Sequence, residues 1–269
     1  MNILSREVIL NDEGEPAGVP TDRLAEEMLS TIKDIKGAYY TDKGTIDYGA
    51  LRVSAEYAAY KRLTAALRGY DPRLLKDPSQ RLAFWINLYN TIVVDGIIGL
   101  KVKGSVKEVK GFFSRIKYRI GGLTFSPDDI EHGILRANSR PYMHVFRQFG
   151  PLDSRRELIF ETIDPRIHFA LVCGSRSCAP IKFYTAERIE ADLEAAAVNF
   201  INSPEVIVTP GEKRLAVSMI FKWYGKDFGG RAGVVDFIRR YLVDEARKRF
   251  LEEERIRIEY QPYDWSLNA

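Results

Sequence analysis

The sequence predicts an α+β fold, on three observations. The first third repeats apolar residues at helical spacing; a Gly-Gly pair and a Pro-Gly pair each separate short apolar runs as hairpin turns do; and a run near the carboxyl end reads as a closing strand. The expected architecture is a helical N-terminal third packed on a small mixed or antiparallel sheet. Residues 1–75 are read as a helical region of the same globule, and residues 76–269 as the α+β domain.

Leu24, Met28, Ile32 and Ile35 recur at helical spacing within residues 22–36, which predicts a surface helix starting near Thr21. A second helix is expected over 48–67, then a turn region from Gly69 to Pro78, then a buried helix over 79–99. This last segment, AFWINLYNTIVVDGIIGL at its core, is nearly long enough to cross a bilayer. Asn87, Asn90 and Asp95 would each need a partner inside a membrane, so a core helix is expected and no membrane span.

Residues 101–119 carry seven Lys/Arg and one Glu, interleaved with Phe112, Phe113 and Tyr118. Such a face can meet nucleic acid, phospholipid or an acidic partner; the alternative is a solvated helix and strand edge whose Phe pair enters the core. RIGGLTF at 119–125 predicts a hairpin with a primed turn. Ser126-Pro127-Asp128-Asp129 has a hydroxyl cap, a proline at the first helical position and acids in the first turn, so a short helix carrying Glu131 and His132 should run to about Asn138. Residues 141–165 read as loop. RIHFALVC at 166–173 reads as a buried strand, and 185–201 as an amphipathic helix opened by an imperfect capping box at Thr185. A hairpin around Pro210-Gly211, helices over 220–223, 233–242 and 245–254, and a strand over 256–260 complete the chain.

The 269 residues are 45% hydrophobic, enough for a sizeable core, and the net charge of +3 from 40 basic and 37 acidic side chains is too near balance to imply a nucleic-acid partner. The acidic, Gly/Pro-containing start does not read as a secretory signal, so a cytoplasmic location is expected. Cys173 and Cys178 are too few for a disulfide framework and are expected as free thiols, although their closeness leaves a redox pair open.

Cys173 ends the expected strand just before Gly174-Ser175-Arg176-Ser177, a turn able to present backbone N–H groups, and would be a nucleophile if a base or a positive field made its thiolate. Three histidines bound the choice of base: His132, His144 and His168. A straight strand would hold His168 about 16 Å from Cys173, whereas His132 can arrive from another element. On an α-helix Glu131 points about 100° away from His132, so it is better placed to orient His168. Asn87 and Asn90 share one helix face, either satisfying backbone in the core or lining a pocket as oxyanion donors. His168, Cys173 and Cys178 do not form the C-x-x-C knuckle of a structural zinc site, and no phosphate-binding glycine loop occurs, so neither metal nor cofactor is expected.

RLAFWINLYN, DDIEHGILR, DPRIHFALVCGSRSCAPI, FKWYGKDF and YQPYDWSLN together resemble the family catalogued as domain of unknown function 547, over roughly residues 83–268. The resemblance implies a compact α+β domain with a suggested papain-like or transglutaminase-like relationship and a Glu-His-Cys set. The thiol of that set falls on Cys173, the acid on Glu131, and the histidine on His132 or His168; Cys178 is the weaker candidate. In papain-type enzymes the thiol sits at a helix N-terminus, whereas here a Gly/Ser turn follows, leaving Arg176 or Lys182 to supply a positive field. Relatives that carry coiled-coil segments favour an interaction role as well. Two functions are therefore expected as alternatives. One is a cysteine-dependent hydrolase or acyl transferase acting on a small-molecule or peptide substrate, with Gly174, Ser175 or Asn87 at the oxyanion. The other is an interaction module that recruits an acidic protein through residues 101–119.

Overall fold

A computed structural model describes residues 6–20, 23–41, 44–252 and 256–269. The expected helix start at Thr21 and Asp22 and the expected helix end at Glu254 lie outside the described residues.

Strand β1 (Val8–Ile9) is followed by α1 (Leu24–Tyr39), α2 (Tyr48–Arg52) and α3 (Ala55–Ala66). The four periodic residues of α1 are all buried, as their spacing requires. The single helix expected over 48–67 is two: Ser54 is extended, and its hydroxyl accepts from Tyr57 N–H at 3.0 Å, capping a new start. α4 (Pro78–Gly99) is capped by Asp77, whose carboxylate accepts from Gln80 N–H at 2.8 Å. This helix is long and apolar enough to cross a membrane, yet 78% of its apolar window is buried inside the fold. Its acid is answered there: Asp95 accepts from Tyr118 at 2.7 Å and Lys61 at 2.8 Å, and also from Tyr57. Its fully buried Ile86, Ile92 and Val93 each contribute about 1.5–3 kcal/mol of burial.

The basic stretch continues into α5 (Phe112–Arg115) and β2 (Ile116–Ile120), which turns back as β3 (Leu123–Phe125). Gly121 and Gly122 both have positive φ, 54° and 82°, the primed turn expected of this hairpin. β1 joins β2 in parallel and β3 joins it antiparallel, giving one mixed three-stranded sheet. The rings of this stretch turn inward: Phe112 and Tyr118 are buried and Phe113 is half-buried. Among its cations, Lys117 pairs with Glu7, Arg119 with Asp12, and Lys107 lies over the Trp265 ring.

The chain then enters a π-helix (Asp129–Leu135) and several short 3-10 turns; in place of the strand expected over 166–173 stands one of them, Pro165–Phe169, followed by irregular chain. Asp164 caps this turn by accepting from Arg166 N–H at 2.9 Å, and Pro165 fixes helical φ at its first position. The hydrophobicity of the run comes instead from lying between two cores. Ile167, Ala170 and Leu171 pack with α1, α4 and β2, whereas Phe169 faces a second cluster.

That second cluster is built by α6 (Ile189–Ile201), β4 (Val206–Thr209), β5 (Arg214–Val217), α7 (Ile220–Trp223), α8 (Gly230–Tyr241), α9 (Glu245–Phe250) and β6 (Arg257–Tyr260). Thr185 sits in a turn before α6 rather than capping it, since Arg188 N–H bonds Thr185 O at 3.2 Å. β4 and β5 are antiparallel and β6 joins β5 in parallel, a second mixed sheet where one sheet was expected. Phe169, Phe200 and Phe221 interlock beneath it, with Phe169 and Phe200 ring centres 4.5 Å apart.

Candidate functional site

Two amides on α4 shape the segment that holds the thiols. Asn90 takes the place of a strand partner, donating to Ala170 O at 3.0 Å and accepting from Val172 N–H at 2.8 Å. Asn87 does the same for Tyr184, at 2.8 and 2.9 Å. Pinned at both ends, the intervening chain turns at Gly174, whose φ is +78° and where a Cβ would stand 2.6 Å from Ile97 Cδ1. The C-terminal segment straps the turn: Arg176 N–H bonds Ser266 O at 2.9 Å and Asn268 N–H bonds Gly174 O at 3.1 Å.

This turn brings the two thiols face to face, Sγ to Sγ 2.6 Å apart. Cys178 Sγ also accepts from the Cys173 main-chain N–H at 3.1 Å, and the Tyr263 hydroxyl lies 3.2 Å from each sulfur. Ser175 Oγ lies 3.1 Å from Cys173 Sγ and 3.1 Å from the Tyr263 hydroxyl. Burial raises the Cys178 thiol, but donation from Cys173 Sγ, Tyr263 and the main chain outweighs it and brings the group down to about 6. The hydrogen bond to Cys178, then burial, push Cys173 well up, and the Cys173 main-chain N–H reaches the Cys178 sulfur, which favours negative charge there. Among the described residues, neither sulfur has a histidine among its hydrogen-bond partners.

Across from the thiols stands a network of acids and imidazoles. Ser126 and Asp129 bond reciprocally, Asp129 N–H to Ser126 Oγ at 3.1 Å and Ser126 N–H to Asp129 Oδ2 at 2.9 Å, the helix start that the sequence signals. The helix is wound wider than an α-helix, with Arg136 N–H bonding Glu131 O at 2.8 Å. Successive side chains are therefore closer together around its axis, and Glu131 Oε1 comes to 3.7 Å from His132 Nδ1. Although this winding brings the two side chains nearer than an α-helix would, Arg136 and not Glu131 makes the hydrogen bond to His132 Nδ1.

Arg136 Nη1 lies 2.8 Å from His132 Nδ1, and because a guanidinium only donates, that nitrogen is unprotonated and the ring proton is on Nε2. Burial, with Arg136 and His168 adding to it, lowers His132 to about 4 against the pull of Glu131, so the ring is neutral. His168 Nε2 lies 2.9 Å from Asp227, whose other contacts are with Arg136. Burial raises Asp227, but His168 and Arg136 outweigh it and hold the acid at about 2. With Nε2 turned to Asp227, Nδ1 is the His168 nitrogen left for other partners. Tyr224 stacks on His168, ring centres 3.9 Å apart. Burial raises Glu131, but His132, Tyr224, His168 and Arg136 outweigh it and keep the carboxylate low.

The thiols and this network line one cavity of about 420 Å³, whose wall includes Glu131, His132, His168, Cys173 and Cys178. Trp223, Tyr263 and Trp265 form an aromatic flank with ring centres 4.8–5.6 Å apart. Asp128 also faces the cavity, and burial beside Glu131 and Asp129 raises it to about 7. No lysine or arginine is in the wall among the described residues. Asn87, Asn90, Gly174 and Ser175 stand behind the wall and hold the thiol turn in place; both asparagine amides are committed to main chain. Arg176 is exposed, and neither it nor Lys182 lines the cavity. Among the described residues no group of three or more His, Cys, Asp or Glu side chains is arranged to hold a metal ion.

Sequence reasoning did not reach Arg136, Tyr224, Asp227 and Tyr263. The signal was present, since all four lie in IEHGILR, FKWYGKDF or YQPYDWSLN, but spacing alone does not bring three distant motifs to one cavity.

Residues 72–201 match the family described as "Protein of unknown function, DUF547". The resemblance in the sequence is thereby shown, over a range that starts earlier and stops earlier than residues 83–268. Glu131, His132, His168 and both cysteines fall inside the matched range, whereas Tyr224, Asp227 and Tyr263 complete the cavity from outside it. No curated protein and no solved structure matches the chain. The suggested papain-like or transglutaminase-like relationship finds no support in these comparisons.

Proposed function

We propose that this carrier of a DUF547 segment is a cysteine-dependent hydrolase or acyl transferase whose nucleophile is the Cys178 thiolate. The observation that carries the reading is the Cys173 main-chain N–H that donates to Cys178 Sγ at 3.1 Å, within a cavity that His132 and the Asp227-paired His168 also line. Cys173, the thiol implied by the family resemblance, takes the part of a neighbouring donor.

In this reading Cys178 Sγ attacks an acyl carbon, a C–S bond forms, and the leaving group departs with a proton taken from cavity water. The Nδ1 lone pair of His168 then accepts a proton from a second water as that water attacks the thioester; the C–S bond breaks, the acid leaves, the thiolate is restored, and His168 passes its proton to the hydroxide left by the first water. Asp227 orients His168 and stabilises its charged form, the role an acid plays behind a catalytic imidazole. His132, with Nδ1 occupied by Arg136, serves as a donor through Nε2 rather than as a base. A wall bearing Glu131 and Asp128 with aromatic rings and no cation suits a neutral or cationic substrate better than an anionic one.

The test is trapping of an acyl-enzyme. Purified protein incubated with small p-nitrophenyl esters and then acid-quenched is expected to carry one acyl group on Cys178 by peptide mapping, and Cys178→Ser to carry none. Folded protein that releases nitrophenol no faster than Cys178→Ser, or is acylated only elsewhere, would remove the reading. The interaction-module alternative draws support from the exposed Lys101, Lys103 and Lys110, but Phe112 and Tyr118 of that stretch are buried.

A further inference from the structure

The same two thiols stand in a relationship that acyl transfer does not use. They lie five positions apart across one turn, in contact at 2.6 Å, half-buried, and both on the wall of a cavity wide enough for a small molecule. Asn90 and Asn87 anchor the main chain on both sides of the turn, and the 264–268 strap covers it, so the sulfurs are held together by the fold.

We propose that Cys173 and Cys178 are a dithiol that small-molecule disulfides oxidise to an intramolecular disulfide through the cavity. The Cys178 thiolate attacks one sulfur of the reagent, a Cys178–reagent disulfide forms, and one reagent thiolate leaves. Cys173 then gives its proton to that thiolate or to water and attacks Cys178 Sγ, expelling the second thiol. Two protein thiols and one disulfide become one protein disulfide and two small thiols, with no other oxidant. The Cys173 main-chain N–H, which donates to Cys178 Sγ, sets the order of attack, because the sulfur it favours as thiolate reacts first and its neighbour resolves. Closure does not depend on the chain being a hydrolase; if it is one, closure removes its nucleophile.

The experiment uses the full chain and 2-hydroxyethyl disulfide, small and uncharged, with intact mass and maleimide uptake read after an acid quench. Wild-type protein is expected to lose two hydrogens and both maleimide-reactive thiols without retaining an adduct, and dithiothreitol should restore both. Cys173→Ser is expected to stop at a stable adduct on Cys178, and Cys178→Ser to form its adduct at least about tenfold more slowly. Folded wild-type protein that accumulates adducts without closing would overturn the proposal. So would protein that keeps both thiols while its urea-unfolded form reacts. Acyl trapping on Cys178 in reduced protein is a separate readout, so either proposal can fail without the other.

Discussion

His168 Nε2 lies 2.9 Å from Asp227, and the same carboxylate receives Arg136 from the π-helix. One acid thus joins three elements around the cavity, and its side chain is 3% exposed. Asp227→Asn leaves the Arg136 guanidinium without its counter-charge and should cost about 3–5 kcal/mol by urea unfolding at neutral pH.

The pH dependence of this contribution has a definite sign. Asp227 is held at about 2 against an ordinary 3.8, so its stabilisation is fully present above 3.8 and is lost as pH falls through 2. About 2 kcal/mol of wild-type stability should disappear over that window, and Asp227→Asn should lack this part of the acid dependence. Equal acid slopes in both proteins would count against the ion pair.

Much of the outer framework was legible in the sequence, because caps and turn residues act locally. Ser126 and Asp129 announced a helix start, Gly121-Gly122 a primed turn, and the buried face of α1 followed its period. The region around the thiols was less legible. RIHFALVC is apolar enough for a strand, but its main chain is satisfied by the side chain of Asn90, eighty residues away from Ala170. The candidate acid and histidines were found by residue type, whereas the pairing of His168 with Asp227 and of the thiols with Tyr263 spans 59 and up to 90 positions and has no local signature.

Asp128 behaves in the opposite sense to Asp227. Burial beside Glu131 and Asp129 raises it from 3.8 to about 7, so the native state is penalised as pH rises through that interval. Asp128→Asn should match wild type at pH 3 and exceed it at pH 8. The gain is expected to be about 1–2 kcal/mol, less than full burial would give, because the side chain is 31% exposed. Thermal unfolding of both proteins at the two pH values measures the difference directly.

Asn90→Ala removes the partner of both Ala170 O and Val172 N–H, each buried, and is expected to cost about 2–4 kcal/mol. Asn87→Ala, at a half-buried position, should cost less. In Asn90→Ala the thiol turn also loses its anchor, so alkylation of Cys178 should lose part of its rate advantage at pH 7. A destabilised variant with unchanged thiol reactivity would show that Asn90 serves the core alone.

The pH dependence of iodoacetamide alkylation tests most directly whether the fold concentrates negative charge on Cys178. In Cys173→Ser the main-chain donor and Tyr263 remain, so Cys178 should titrate well below the ordinary thiol value of about 8.5. In Cys178→Ser, Cys173 should titrate no lower than that value. A low-pH titration on Cys173 with Cys178 unperturbed, or two ordinary thiols in the folded protein, would contradict the account.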